Sequence, residues 1–258
     1  MQPQNNKAMK KELLMTMAAT LFAFSLTAAN ETIVLRIKGM RCEEEAHKVS
    51  TVVKKLNGIQ SLDYNLERRT VTISYDGTQT CADSIKARIE KIGGRYKSSP
   101  YSKDEVIRRG LGLQMSDMHC QRCANRITQR LQTIEGIDSM SPNLDKQYFF
   151  IRYDANKTSK AAIKKALGEL GFTPVTYYTS KVISFAYFNI PAEAATEETI
   201  EEVLALDGVD DVNVNVKGSL AITYVNKDTS VEKLLQDIQA AGIQATLPPA
   251  HECTENEK

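Results

Sequence analysis

Short runs in which apolar and polar residues alternate are separated, along most of this chain, by stretches in which apolar residues return every three or four positions. The first rhythm suits strands half-buried on one face, and the second suits helices with one apolar side. Together they recur three times in the order strand, helix, strand, strand, helix, strand. In the middle occurrence "GLGLQM" (110–115) reads as a short strand. A helix from about Arg122 turns Ala124, Ile127, Leu131 and Ile134 inward, and Gly136 ends it where a left-handed residue is wanted. "IDSMSPNL" and "YFFIRYD" follow as strands, and Ile163, Leu167 and Leu170 line a second helix stopped by Gly171. The first occurrence has Ala46, Val49, Val53 and Leu56, then Ile85, Ile89 and Ile92; the third has Val203 and Leu206, then Leu234, Ile238 and Ala241.

The three occurrences are copies of one unit. Sliding the chain by 78 residues sets Cys42 on Cys120, Gly58 on Gly136, Asn65 on Asn143 and Tyr75-Asp76 on Tyr153-Asp154. A further 72 residues bring Gly208 and Asn215 into register, and Tyr224 follows after one deletion. The expected copies are 31–99, 106–178 and 181–248, with "KSSPYSKDE" (97–105) linking the first two and 249–258 a flexible tail. A βαββαβ order in about 70 residues is the ferredoxin-like plan, two helices on one face of a four-stranded antiparallel sheet. The expected fold class is therefore α+β, a ferredoxin-like βαββαβ sandwich in three tandem domains.

Ahead of the first copy, Lys7, Lys10 and Lys11 precede an uncharged apolar run from Leu13 to Ala29 that closes on Thr27-Ala28-Ala29. A basic start, an apolar stretch and a small-residue end predict a signal peptide over 1–29, and thus an exported protein, periplasmic if the source is a Gram-negative bacterium. The alternative is a membrane anchor formed by residues 13–29, whose length approaches that of a spanning helix. A net charge of +1, with 25% charged residues, gives no global field for nucleic acid or acidic membranes, so neither is expected as a partner. After signal cleavage no stable membrane insertion is expected.

Five cysteines, at 42, 81, 120, 123 and 253, are an odd number for an exported chain and cannot all pair. The ferredoxin-like plan puts the strand 1–helix 1 loop, the strand 2–strand 3 loop and the helix 2–strand 4 loop at one end. Cys120 and Cys123, in "DMHCQRCANRI" (117–127), lie in that first loop and the first helical turn. There unpaired N–H groups and the helix dipole favour thiolates. Two soft thiolates on an exposed turn suit d¹⁰ ions such as Cu(I), Hg, Zn or Cd. A CxxC at a helix start also serves thiol–disulfide exchange, so that reading stays open beside metal binding.

The M-x-C-x-x-C on a βαββαβ unit resembles the heavy-metal-associated (HMA) domain family of copper chaperones, metal-pump N-terminal domains and the periplasmic mercury-binding protein. The resemblance spans about 31–248 and is strongest at 112–178. It implies Cys120 and Cys123 as metal ligands, Met118 as a core residue under the loop, and Phe172 beside the metal. Asp117 stands where the family usually has glycine. In the first copy "GMRCEEEAHKV" keeps Gly39, Met40 and Cys42 but has Glu45 at the second ligand position, a poor pair for Cu(I) and a weaker zinc candidate. In the third, "NIPAEAATEE" has Ala192 and Ala195 at the two positions, which leaves a spacer or docking module. Cys81 falls at the opposite end from Cys42 and is expected to be a semi-buried structural thiol. His119 is a solvated loop residue or a weaker third ligand, His47 an exposed helix residue, and His251, Glu252 and Cys253 lie in the tail.

Together these observations predict a non-enzymatic, exported metallochaperone or scavenger for a soft ion, Cu(I) first, with a metal-transporting ATPase or other metal-handling protein as partner. The competing readings are an interaction scaffold that retains one ancestral site, and a redox protein. Against the latter stand the βαββαβ order and the lack of tryptophan before the CxxC.

Overall fold

The computed structural model describes residues 30–249; the expected signal segment and the tail residues His251, Glu252 and Cys253 lie outside the described residues. The chain divides into two compact units, one ending at Pro100 and the other beginning at Tyr101.

In the first unit the elements are β1 (Asn30–Ile37), α1 (Glu43–Val53), β2 (Ile59–Asn65), β3 (Thr70–Asp76), α2 (Ala82–Glu90) and β4 (Ser98–Pro100). The sheet order is β2-β3-β1-β4, with antiparallel neighbours throughout, which is the ferredoxin-like arrangement. Strand alternation turns Leu35, Ile37, Val71 and Ile73 to one face, where Ala46, Val49 and Val53 of α1 and Ile85 and Ile89 of α2 bury against them. Leu56 and Ile92, expected on the apolar faces, pack at the edge of that core.

The expected linker is shorter than its composition suggests. Ser98–Pro100 pairs with Leu35–Ile37 as the fourth strand, because the edge of β1 has donors and acceptors to satisfy. Tyr101 already packs on the core of the second unit, its hydroxyl 2.7 Å from Oδ1 of Asn156.

The second unit holds two modules. The first contains β5 (Arg108–Gln114), α3 (Gln121–Gln132), β6 (Ile137–Asn143), β7 (Tyr148–Asp154), α4 (Lys160–Glu169) and β8 (Val175–Thr176), in sheet order β6-β7-β5-β8. Ala124, Ile127, Leu131, Ile163 and Leu167 are buried as their spacing predicts. The next module contains β9 (Ile183–Asn189), a 3₁₀ turn at Ala192–Ala194, α5 (Glu197–Leu204), β10 (Val209–Val214), β11 (Ser219–Val225) and α6 (Val231–Ala240). Its sheet has three strands, β10-β11-β9, and the expected fourth is reduced to one bridge between Asn189 and Thr246. Pro248 and Pro249 follow after Leu247 and have no N–H to donate, so the ladder stops there. Ala241, expected on the inner face of α6, caps the helix end and is exposed.

The glycine shared by the three copies has a common mechanical reason. Gly58, Gly136 and Gly208 have φ of +83°, +92° and +78°. Each carbonyl accepts a 2.8 Å hydrogen bond at the end of its module's third strand, from the N–H of Asp76, Asp154 and Val225 respectively. The left-handed residue turns the chain out of the first helix and closes it on the sheet, and a side chain there would be strained. At Gly136 a Cβ would also meet Lys157 Cβ at 2.6 Å.

Candidate metal centre

Between β5 and α3 the chain must leave a buried strand and begin a helix within six residues. Met115, the first residue past the strand, is fully buried, and Met118 is fully buried three residues later, its N–H bonded to the Met115 carbonyl at 3.2 Å. Met118 thus serves as a plug beneath the loop, in the same core cluster as Ile127, Phe149 and Phe172. This tight turn delivers Cys120 to the N-cap of α3 in extended conformation, with φ −146° and ψ 162°.

Cys120 is exposed and Cys123 half-buried. Cys120 Sγ accepts the Cys123 N–H at 3.3 Å, so sulfur fills the role that serine fills at the caps of α4 and α6. The two sulfurs lie 2.9 Å apart. That is too long for a disulfide of about 2.05 Å. It is also short for joint ligation: metal–sulfur bonds of about 2.3 Å place two donors roughly 4 Å or more apart on one ion. The side chains must swing apart to hold one. The Cys123 thiol, then its backbone N–H, with Arg122 contributing, hold the Cys120 thiol below its usual pKa. A thiol poised to lose its proton is suited to metal capture, which releases that proton.

His119 is exposed, its Nδ1 3.2 Å from Nε2 of Gln147, and that amide also donates to the Ser116 carbonyl at 2.9 Å. Among the described residues no three His, Cys, Asp or Glu side chains cluster so as to hold an ion. The candidate centre is therefore a pair of sulfurs. Phe172 is buried beside the loop, with the Arg126 guanidinium 5.6 Å over its ring and bonded to the Leu170 carbonyl at 3.2 Å.

Asp117, the departure from glycine, turns its carboxylate inward. Oδ2 accepts from the Thr173 N–H at 2.7 Å and the Thr173 hydroxyl at 3.1 Å, while Oδ1 is buried without a partner. Burial raises its pKa, against the opposing effect of the Thr173 bonds. In the first unit the equivalent position is Gly39, where a Cβ would approach the Arg95 carbonyl oxygen to 2.7 Å.

The structure sets the other candidates apart. Cys42 is the exposed N-cap of α1, and Glu45, whose carboxylate the Cys42 thiol also reaches, is held by two arginines. Its Oε2 accepts the Arg41 N–H at 2.7 Å and its Oε1 pairs with Arg95 at 2.9 Å. The Arg41 bond lowers its pKa, helped by Arg95 and resisted by desolvation. That carboxylate closes the helix start, as a capping acid does. Cys81 is exposed, not semi-buried: it caps α2, a position that aims the side chain at solvent, with Sγ 3.3 Å from Ser84 Oγ. His47 is exposed as expected. Ala192 and Ala194 bound the 3₁₀ turn that replaces the metal loop in the last module, and Ala195 follows.

Sequence reading missed Thr173, Tyr187 and Asn215 behind the loop. Asn215 was visible only as a repeat marker. Asn65 and Asn143 each accept a backbone N–H three residues on through Oδ1, as hairpin turns require. Asn215 Oδ1 accepts instead from the N–H groups of Lys217 and Ser219, two and four residues on, while its Nδ2 reaches the preceding module.

These features define a class, the small ferredoxin-like module with a CxxC loop at the start of its first helix. Residues 34–95 and 113–173 each match the model of the heavy-metal-associated domain, and these two segments belong to that family. The last module lies beyond the matched residues. The chain is 27% identical over 140 residues to a copper-exporting P-type ATPase of Bacillus subtilis, covering 54% of this chain and 16% of that protein. It is 23% identical over 282 residues to copper-transporting ATPase 1 of Rattus norvegicus, covering 87% of this chain and 19% of that protein. The chain thus spans under a fifth of the length of either relative. Among solved structures, that of the N-terminal soluble domains of Bacillus subtilis CopA is 24% identical, covers 60% of this chain and 98% of its own, and has a TM-score of 0.27.

Proposed function

We propose that this chain carries a soft metal ion, Cu(I) foremost, between Cys120 and Cys123 and delivers it to a metal-transporting ATPase or another metal-handling protein. Hg, Zn and Cd are the other ions the two sulfurs suit. The observation that carries the reading is the M-x-C-x-x-C loop, with its methionine buried and its first sulfur already capping α3. Membership of these two segments in the heavy-metal-associated family and the copper transporters among the chain's relatives support it. The ion is cargo: two donors on an exposed turn leave room for an incoming thiolate, so the site suits capture and release. Catalysis is no part of this reading. We place the carrier outside the cytoplasm on the strength of the basic, apolar and small-residue pattern of 1–29. No helix among the described residues is long and apolar enough to cross a membrane.

Anaerobic native mass spectrometry of the full chain, purified with its metal, reads the identity and number of ions together. One soft ion per chain is expected, lost in the Cys120→Ser/Cys123→Ser variant. Equal Cu(I) affinity in that variant and the wild type would overturn the proposal. Metal-independent turnover in a disulfide reductase or oxidase assay would replace it with the redox reading.

A further inference from the structure

The metal loop is not completed by its own module. In the first unit the backbone N–H of Lys38, two residues before Met40, is satisfied internally by the Lys97 carbonyl at 3.1 Å. The equivalent N–H in the second module, that of Ser116, donates to the hydroxyl of Tyr187 in β9 at 3.4 Å. A second link runs through Asn215, 3% exposed at the β10–β11 turn. Its Nδ2 donates to the Gly171 carbonyl and the Thr173 hydroxyl, both at 2.9 Å. Thr173, fully buried, donates through its N–H and hydroxyl to Asp117. From Asp117 the chain runs directly through Met118 and His119 to Cys120.

Elsewhere the same interface is built for permanence. Lys164 of α4 meets Asp211 of β10, with Nζ–Oδ1 2.6 Å, and the Thr176 N–H donates to the same carboxylate at 2.7 Å. At Gly168 a Cβ would come within 3.2 Å of the Val214 carbonyl, so the helix has no side chain where the neighbouring strand approaches.

We infer that the ligand-less last module is a built-in brace for the metal loop, with Tyr187, Asn215 and Thr173 as positioning residues that set metal affinity at Cys120 and Cys123. This rests on the reading of those two cysteines as the ligands. A loop held from behind at Ser116 and Asp117 gives up less conformational freedom on closing round an ion, the general effect of outer contacts on ligand geometry. Because binding linkage is reciprocal, the ion must also tighten the brace.

The test uses the full chain, reduced and anaerobic, with Cu(I) partitioned against a chromophoric chelator. Thr173→Val/Tyr187→Phe keeps shape but removes the two hydroxyls that join the last module to the loop, leaving the Thr173 N–H on Asp117, and is expected to weaken Cu(I) binding about tenfold. Thr173→Ser, which restores the hydroxyl, and Lys164→Met, on the same interface but not bonded to the loop, are expected to bind as wild type. Wild-type affinity in the double variant, or an equal loss in Lys164→Met, overturns the brace. Failure of the wild type to bind Cu(I) at all overturns the carrier reading instead. Amide hydrogen exchange on the wild type needs no variant. Cu(I) should slow exchange at Thr173 and at Val216, whose N–H crosses to the Gly168 carbonyl at 3.4 Å. Protection confined to the segment from Ser116 to Cys123 overturns the proposal.

Discussion

Asp117 shows how one substitution changes what a loop is made of. Where the first unit keeps glycine under a crowding carbonyl, the second module inserts a carboxylate that binds Thr173 and leaves one oxygen buried and unpaired. A buried carboxylate with an unpaired oxygen favours its protonated form. Its folded pKa therefore lies above the ordinary value of 3.8. The sign follows from linkage: the native state binds this proton more tightly than the unfolded chain. The group's stabilising contribution is complete below the ordinary value and is lost as pH rises through the folded one. Thermal melts of wild type and Asp117→Asn across that window should show the wild type losing ground to the variant as pH rises. A constant difference would mean that the carboxylate titrates as an exposed one does.

Helix starts show how far local pattern carries. Four helices of the second unit begin with a side chain that accepts the N–H three residues on: Cys120, Ser159, Thr196 and Ser230. At α3 the cap and the candidate ligand are the same atom. Cys120→Ser should therefore keep the cap, with unfolding free energy of the metal-free protein within about 0.5 kcal/mol of wild type, because serine is a preferred N-cap. Its metal binding should fall nonetheless, a separation that chemical denaturation and Cu(I) titration measure side by side. The same spacing logic placed the buried faces of the helices at Ala124, Ile127 and Leu131, and at Ile163 and Leu167. It failed at the ends, where Ala241 lies past the last turn, and at β4, where a polar segment that reads as linker completes a sheet edge. Edge pairing is decided by a neighbour's unmet hydrogen bonds, which the segment's own composition does not record.

Across the second unit the two modules share an ion pair with little solvent around it. The side chains of Lys164 and Asp211 retain 13% and 20% of their exposure. Burial depresses the Lys164 pKa even with Asp211 against it. Asp211→Ala leaves that ammonium and the Thr176 N–H without their partner and should cost about 2 kcal/mol. This is less than the 3–5 kcal/mol of a fully enclosed pair, because some water remains. Urea denaturation of the full chain should show this loss, partly recovered when Lys164→Met is added. Additive losses would mean that the pair is not coupled.

The repeat, the ferredoxin-like plan, the inward residues and the M-x-C-x-x-C at a helix start were legible in the chain because each is a local matter. Periodicity, a left-handed glycine and an N-cap are all settled within a few residues. Tertiary structure decided how close the two sulfurs stand, that Glu45 is turned back onto Arg41 and Arg95, and that Cys81 faces solvent. It also decided that Ser116 and Thr173 find partners some 40 to 70 residues away in Tyr187 and Asn215. Those contacts depend on which surfaces meet when two modules pack, and a polar side chain records no partner until the surfaces have met.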